Sequence, residues 1–214
     1  MFITFEGIEG SGKSTQIRLL ADTLRAGGAT VLLTREPGGC PVADRIRAVL
    51  LDAENRAMVA MTELMLYAAA RAQHLAEVVR PALAAGAIVL CDRFSDATRA
   101  YQAFGRGLPR ETVEQLNQLA CDGLAPDLTL LLDCDTATGL ERARSRIEAA
   151  GSGPREERFE LEALSFHQRV REGYLRLAAE EPERFAVVPA EGAPAEIAVA
   201  VAAIVTGRLQ RSAV

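Results

Sequence analysis

Apolar residues in this chain fall into two patterns, short unbroken runs and longer stretches with helical spacing, and the two alternate along the sequence. The short runs lie at 2–5, 31–33, 87–91, 128–132 and 185–188, each bounded by Gly, Pro, Asp or Glu. Continuous rather than alternating hydrophobicity predicts strands covered on both faces. Between them, Ile17, Leu20 and Leu24, and later Val113, Leu116 and Ala120, recur as one face of a helix; these patterns stop at Gly27-Gly28 and Asp122-Gly123. Pro109, Pro126 and Pro194 stand where elements should begin, and Pro81 is expected to break a long helix. The alternation predicts one α/β domain over 1–214, with a mostly parallel sheet, helices on both faces and ligands at the carboxyl ends of the strands.

Met58, Met61 and Met65, at i, i+3 and i+7, read as a core-facing stripe. The stretch 148–157, with Gly151-Ser152-Gly153-Pro154 inside it, reads as a surface loop or a cover over a site. With 49% hydrophobic and 25% charged residues, the 214-residue chain has the composition of a folded globular protein and no need of a disulfide or metal staple. A net charge of -5 argues against a nucleic-acid partner, so any phosphate must be gripped locally. No basic segment followed by an apolar core opens the sequence, and no run approaches the ~18 residues of a membrane span, so a soluble cytoplasmic protein is expected. Cys40, Cys91, Cys121 and Cys134 are scattered without C-x-x-C pairs or nearby histidines, which points to buried reduced thiols.

Gly7-Ile8-Glu9-Gly10-Ser11-Gly12-Lys13-Ser14 fits G-x-x-x-x-G-K-[ST] directly after the first strand and at the start of a helix. In that context backbone N–H groups turn around phosphate oxygens, Lys13 reaches the β- and γ-phosphates, and Ser14 can ligate magnesium. Nucleoside triphosphate binding follows; hydrolysis, transfer and switching remain open. Two further strand ends carry an arginine, in Thr34-Arg35-Glu36-Pro37-Gly38-Gly39 and Cys91-Asp92-Arg93-Phe94. A guanidinium forks onto phosphate, so two of them on the rim of the phosphate loop suggest a second phosphorylated ligand. Asp92 occupies the place of an acidic residue that positions magnesium.

These segments, with 64–71, Ala100-Tyr101-Gln102 and Pro126-Asp127-Leu128, resemble the bacterial thymidylate kinases from residue 2 to about 190. The resemblance implies a P-loop NTPase fold with a five-stranded parallel sheet and a short lid at about 142–158. It implies transfer from ATP, with Mg2+, to dTMP, in a homodimer whose interface includes the methionine face. Gly7 to Thr15 and Arg142 would bind the donor, with Ser14 and Asp92 at the metal. Arg35 and Arg93 would hold the acceptor phosphate. Arg71 would bond the thymine edge beneath Tyr67, with Thr98 nearby. Tyr101 would exclude a ribose hydroxyl, and Glu9 would lie by the acceptor sugar and phosphate. The family carries an essential arginine in the phosphate loop or in the lid, and the loop position is Gly10 here. The charge is therefore assigned to the lid: Arg142 and Arg146 share a helix face and Arg144 points away, so Arg146 is expected at the transferring group. Ala97, Ala103-Phe104 and Glu157 depart from the usual pattern, Arg155 and Arg158 follow the cover, and His74 and His167 match no role. The competing readings are a P-loop kinase for another small monophosphate or nucleoside, and a non-catalytic nucleotide switch.

Overall fold

The computed structural model describes residues 1–150 and 158–212. The expected cover therefore lies largely outside the described residues, Arg155 and Glu157 with it. Five strands, β1 (Phe2–Glu6), β2 (Val31–Arg35), β3 (Ile88–Asp92), β4 (Leu128–Asp133) and β5 (Phe185–Pro189), form one parallel sheet in the order β2-β3-β1-β4-β5. Most of them run past the apolar run that signalled them, because the ladder goes on pairing polar residues: Glu6 opposes Leu131, and Arg35 opposes Asp92. Full coverage holds for β1 and nearly so for β3 and β4. The edge strands correct it, since β2 is only half-buried and Val187 in β5 is exposed.

Helix α1 (Lys13–Ala26) follows β1, and α2 (Pro41–Leu51), α3 (Ala60–His74) and α4 (Arg80–Ala84) link β2 to β3. After β3 come α5 (Ser95–Thr98) and α6 (Arg110–Cys121), then α7 (Thr136–Ala150) and α8 (Leu164–Glu180) between β4 and β5, and α9 (Pro194–Ser212). On one face Ile3, Phe5, Leu128, Leu130 and Leu132 pack against Ile17 and Leu20 of α1 and Val201 and Val205 of α9. On the other, Leu131 meets Phe166, Val170 and Tyr174 of α8, while Phe2, Val89 and Cys91 meet Leu75, Val79 and Phe94. This inward alternation fixes the sheet between two helical layers.

Pro81 does not end the helix. The chain stays helical through a π segment, Leu75–Val79, into α4, and Pro81 stands in the first turn beyond that segment. The methionine stripe also differs from the expectation: Met58 precedes α3, Met61 is half-buried and Met65 is 54% exposed. The buried positions of α3 are instead Glu63, Leu64, Ala70, Arg71 and His74, because its inner face lines polar ground rather than the core. All four cysteines are buried free thiols, and no helix among the described residues is long and apolar enough to cross a membrane.

Candidate active site

The loop after β1 sits at the centre of the sheet, where the chain's crossovers diverge to either side and a parallel sheet opens its binding crevice. A cleft of about 880 Å³ opens there, lined by residues 9–16, Arg35, Tyr67, Arg71, Asp92, Arg93, Thr98 and Tyr101, and by Arg142 and Arg146 from α7. Gly7 and Ile8 line none of it; their carbonyls accept Lys13 Nζ at 3.0 and 2.8 Å. Lys13 is thus held inside its own loop, and burial together with Arg93 brings its pKa down to about 8. Thr15 is exposed on the first turn of α1, and Ser14 Oγ donates to Asp92 Oδ2 at 2.9 Å. The pair is a hard-oxygen donor set of the kind that holds Mg2+ together with phosphate oxygens and water. Among the described residues no group of three metal-ligating side chains exists to build an all-protein cage.

Arg93 is a non-glycine residue with φ 71°, a left-handed turn that costs backbone strain. The turn swings its side chain back from the end of β3 onto the loop. Nη1 donates to Gly7 O at 2.8 Å and Tyr174 Oη at 3.1 Å, while Nη2 donates to Glu9 Oε1 and Tyr101 Oη, each at 3.0 Å. The guanidinium carbon lies 4.9 Å from the Tyr101 ring centroid. Tyr101 Oη in turn donates to Glu9 Oε1 at 2.5 Å. Burial opposes the charge on Glu9, but Arg93, His167 and Lys13 outweigh it and hold the carboxyl well below the usual carboxylate range.

Arg71 is 1% exposed and spans the floor of the other end. It donates through Nε to Glu36 Oε2 at 2.8 Å, through Nη1 to Asn117 Oδ1 at 2.7 Å, and through Nη2 to Phe94 O at 3.1 Å and Thr98 Oγ1 at 2.9 Å. Four of its five N–H groups are committed, which fixes the guanidinium plane. Tyr67, one turn earlier, is half-buried and faces the same cleft, so the two share a face as their spacing requires. Arg35 is exposed and donates to Asp44 Oδ1 at 3.1 Å.

Where α7 borders the cleft, Arg142 Nη1 donates to Ala190 O at 3.1 Å, beside Gly192 and Pro194. Arg146 is 63% exposed at its side chain, with Nη2 3.9 Å from Glu160 Oε1, and Arg144 is exposed and lines no part of the cleft. Gly10 has φ 70°, and a Cβ there would lie 1.9 Å from Gly139 O in α7. No side chain fits at this point of the loop while α7 stays in place.

A family model for thymidylate kinase matches residues 5–200. The chain belongs to the thymidylate kinase family. It is 71% identical to a thymidylate kinase from Trichlorobacter lovleyi over 98% of both chains, and 60% identical to one from Geobacter sulfurreducens, again over 98% of both. The crystal structure of a thymidylate kinase from Ehrlichia chaffeensis superposes with a TM-score of 0.76 at 33% identity, covering 96% of this chain and 98% of that one. The P-loop fold and the five-stranded sheet are those of the family.

Several side chains of this thymidylate kinase site went unread in the sequence. Glu36 clamps Arg71, and His74 braces Glu36 from behind with Nδ1 3.0 Å from Oε1. Tyr174 bonds both Arg93 and Glu6. Phe159 packs edge-on to Tyr101, 5.3 Å between centroids, and lines the cleft. His167 is fully buried with Nδ1 3.2 Å from Glu9 Oε2. The only signal for the two histidines was their helical spacing on faces that carry Arg71 and Tyr174.

Proposed function

We infer that the cleft carries out the family's reaction, transfer of the γ-phosphoryl group of ATP to dTMP to give ADP and dTDP, and that its residues divide between the two nucleotides. One observation carries this reading over a nucleotide switch. The phosphate loop shares its cleft with a second cationic set, Arg93 and Arg35 at the rim and Arg71 in the floor, which a protein holding one nucleotide does not need. The wider P-loop kinase alternative is not favoured, given the identity over nearly the whole chain.

The loop from Gly7 to Thr15 cradles the donor phosphates, with Lys13 at the β,γ-bridge once it leaves its own carbonyls, and Arg142 lies along the donor base. Arg93 and Arg35 take the acceptor phosphate. Arg71 presents its remaining Nη1 N–H to the thymine edge, Tyr67 stacks on the base, and Thr98 fixes Arg71. Tyr101 closes the space beside C2′, and Glu9 orients Tyr101 and Arg93. The attacking group is an oxygen of the dTMP phosphate, so no side-chain nucleophile is required, and positioning and charge neutralisation carry the rate. Ser14 and Asp92 would hold Mg2+, which would supply positive charge to the phosphate oxygens during transfer. Arg146 of a lid over about 142–158 supplies further charge to the transferring group.

The protein works in the cytoplasm as a homodimer, for which the exposed apolar residues Val42, Val49 and Met65 on α2 and α3 offer an interface. An ADP-coupled assay with dTMP, dUMP, UMP, CMP and AMP tests the function, with sedimentation giving the oligomer. Preference for dTMP is expected. ATP binding without diphosphate formation from any acceptor would leave a switch.

A further inference from the structure

His167 belongs to no role assigned so far, yet it is the buried neighbour of the carboxylate at the centre of the site. Its Nε2 lies 3.0 Å from the Phe159 carbonyl oxygen, which can only accept, so Nε2 carries a hydrogen. Its Nδ1 lies 3.2 Å from Glu9 Oε2, and these two atoms are buried with no aligned hydrogen-bond partner. In a neutral ring, Nδ1 would aim a lone pair at a carboxylate oxygen, two acceptors facing each other away from water. A proton on Nδ1 turns this repulsion into a charge-assisted contact that a small rotation of either group aligns.

We propose that His167 is a positioning residue that carries protons on both ring nitrogens, bonding the Phe159 carbonyl with one and holding the Glu9 carboxylate with the other. Charges of both signs surround Glu9: Lys13 from the phosphate loop and Arg93 from the end of β3 oppose a further cation, while Glu160, from the turn after residue 157, favours one beside Glu9. Arg106, on the far side of the Phe166 ring, is committed to Glu63 and Glu162, and Tyr174 of α8 to Glu6 and Arg93. Lys13 and Arg93 have a second destination, the phosphates of the two nucleotides. When acceptor phosphate draws Arg93 from Glu9, His167 is the partner that stays. It keeps Glu9 under Tyr101, and through Phe159 it ties that carboxylate to the chain that returns from the cover.

This inference rests on the reading of Glu9 as an acceptor-site group, and the test separates the two. The chain has only two histidines, so the full-length protein labelled with [15N]histidine gives a two-residue imidazole spectrum. At pH 7 one ring, absent in His167→Gln, is expected with both nitrogens protonated. The other ring is His74, with Nδ1 3.0 Å from Glu36 Oε1 and Nε2 2.6 Å from Thr34 Oγ1. Glu9→Gln should convert His167 to the neutral form with its hydrogen on Nε2. A neutral His167 in the unaltered protein would overturn the proposal whatever the kinetics. In steady-state assays His167→Gln should lower kcat/KM for dTMP about tenfold, the scale of one charge-assisted bond, with KM for ATP unchanged. It should add little in a Glu9→Gln background. Impaired Glu9→Gln beside an unimpaired His167→Gln would overturn the positioning role; an unimpaired Glu9→Gln would overturn the reading of Glu9 itself.

Discussion

Glu6 ends β1 with no exposure to solvent, its carboxyl oxygens 2.7 Å from the Phe94 N–H and 2.7 Å from Tyr174 Oη. Burial, and then the charge of Asp96, push its pKa from 4.5 up to about 8, and Arg93 pulls it back only in part. At pH 7 the native carboxyl is therefore mostly protonated, whereas in the unfolded chain it is ionised. The folded state binds a proton that the unfolded state has released, so this group makes stability fall as pH rises from 4.5 to 8, with no further change above. At about 1.36 kcal/mol per pH unit the loss is roughly 3 kcal/mol by pH 7 and approaches about 5 kcal/mol above pH 8. Glu6→Gln has the shape and hydrogen-bonding of the protonated acid, its amide oxygen accepting from Phe94 and its NH2 donating to Tyr174, but never ionises. The variant should match the unaltered protein near pH 4.5 and exceed it by roughly 3 kcal/mol at pH 7, a rise of about 6–12 °C in Tm at the scale of this chain length. Urea unfolding of both proteins at pH 5, 7 and 8.5 measures the gap. A gap that does not widen with pH would refute the neutral carboxyl.

Lys13→Ala should leave the fold intact and lower kcat by about 10²–10³-fold, the loss of one preorganised charge at the β,γ-bridge; turnover near normal at saturating ATP would rule the assignment out. In the unaltered protein, kcat/KM for ATP should decline as pH passes about 8, where Lys13 loses its proton in the free enzyme, and a flat profile to pH 9 would contradict this. Tyr101→Ala should raise kcat/KM for the ribose monophosphate relative to dTMP, and an unchanged ratio would place the selectivity elsewhere. Arg146→Ala should reduce kcat by at least about 10²-fold while Arg144→Ala does little, and the reverse order would mean that α7 presents its other face to the donor.

Elements that announce themselves by pattern were legible: all five strands, the phosphate loop and the starts of α6 after Pro109, of β4 after Pro126 and of α9 at Pro194 stand where short apolar runs, glycines and prolines put them. The errors share a cause. Met61 and Met65 have helical spacing and Arg71 and His74 are polar, so hydrophobicity ranks the wrong face of α3 as inner. Three-dimensional closure reverses that order, because Glu36, brought up by β2, neutralises Arg71 and bonds His74 where neither would otherwise tolerate burial. Pro81 was misread for a related reason: a π segment that no spacing rule reveals realigns the turn before it. Arg142 and Arg146 line the cleft and Arg144 does not, the division that their spacing on one helix implies, since a helix face is local. The partners of Glu9 come from four separate segments, and no local pattern could have gathered them.

That gathering also bears on why the site selects for two nucleotides together. Without ligands the cleft neutralises itself: Lys13 is spent on loop carbonyls, Arg93 on Glu9 and two tyrosines, Arg35 on Asp44, and Ser14 on Asp92. Each phosphate that enters must offer more than the internal partner it displaces, and a dianion in a half-buried cleft does so where water, a neutral dipole, does not. Lys13 and Arg93 also disfavour each other's charge, as burial beside Arg93 depresses the lysine. The strained turn at Arg93 serves the internal pairing. Its φ of 71° aims the guanidinium across the loop, onto Gly7 O and Glu9, rather than into solvent. On the proposed division of the site, the charges that stabilise the cleft are thus the ones assigned to the two nucleotides, and selection for a phosphorylated acceptor would begin with the cost of separating them.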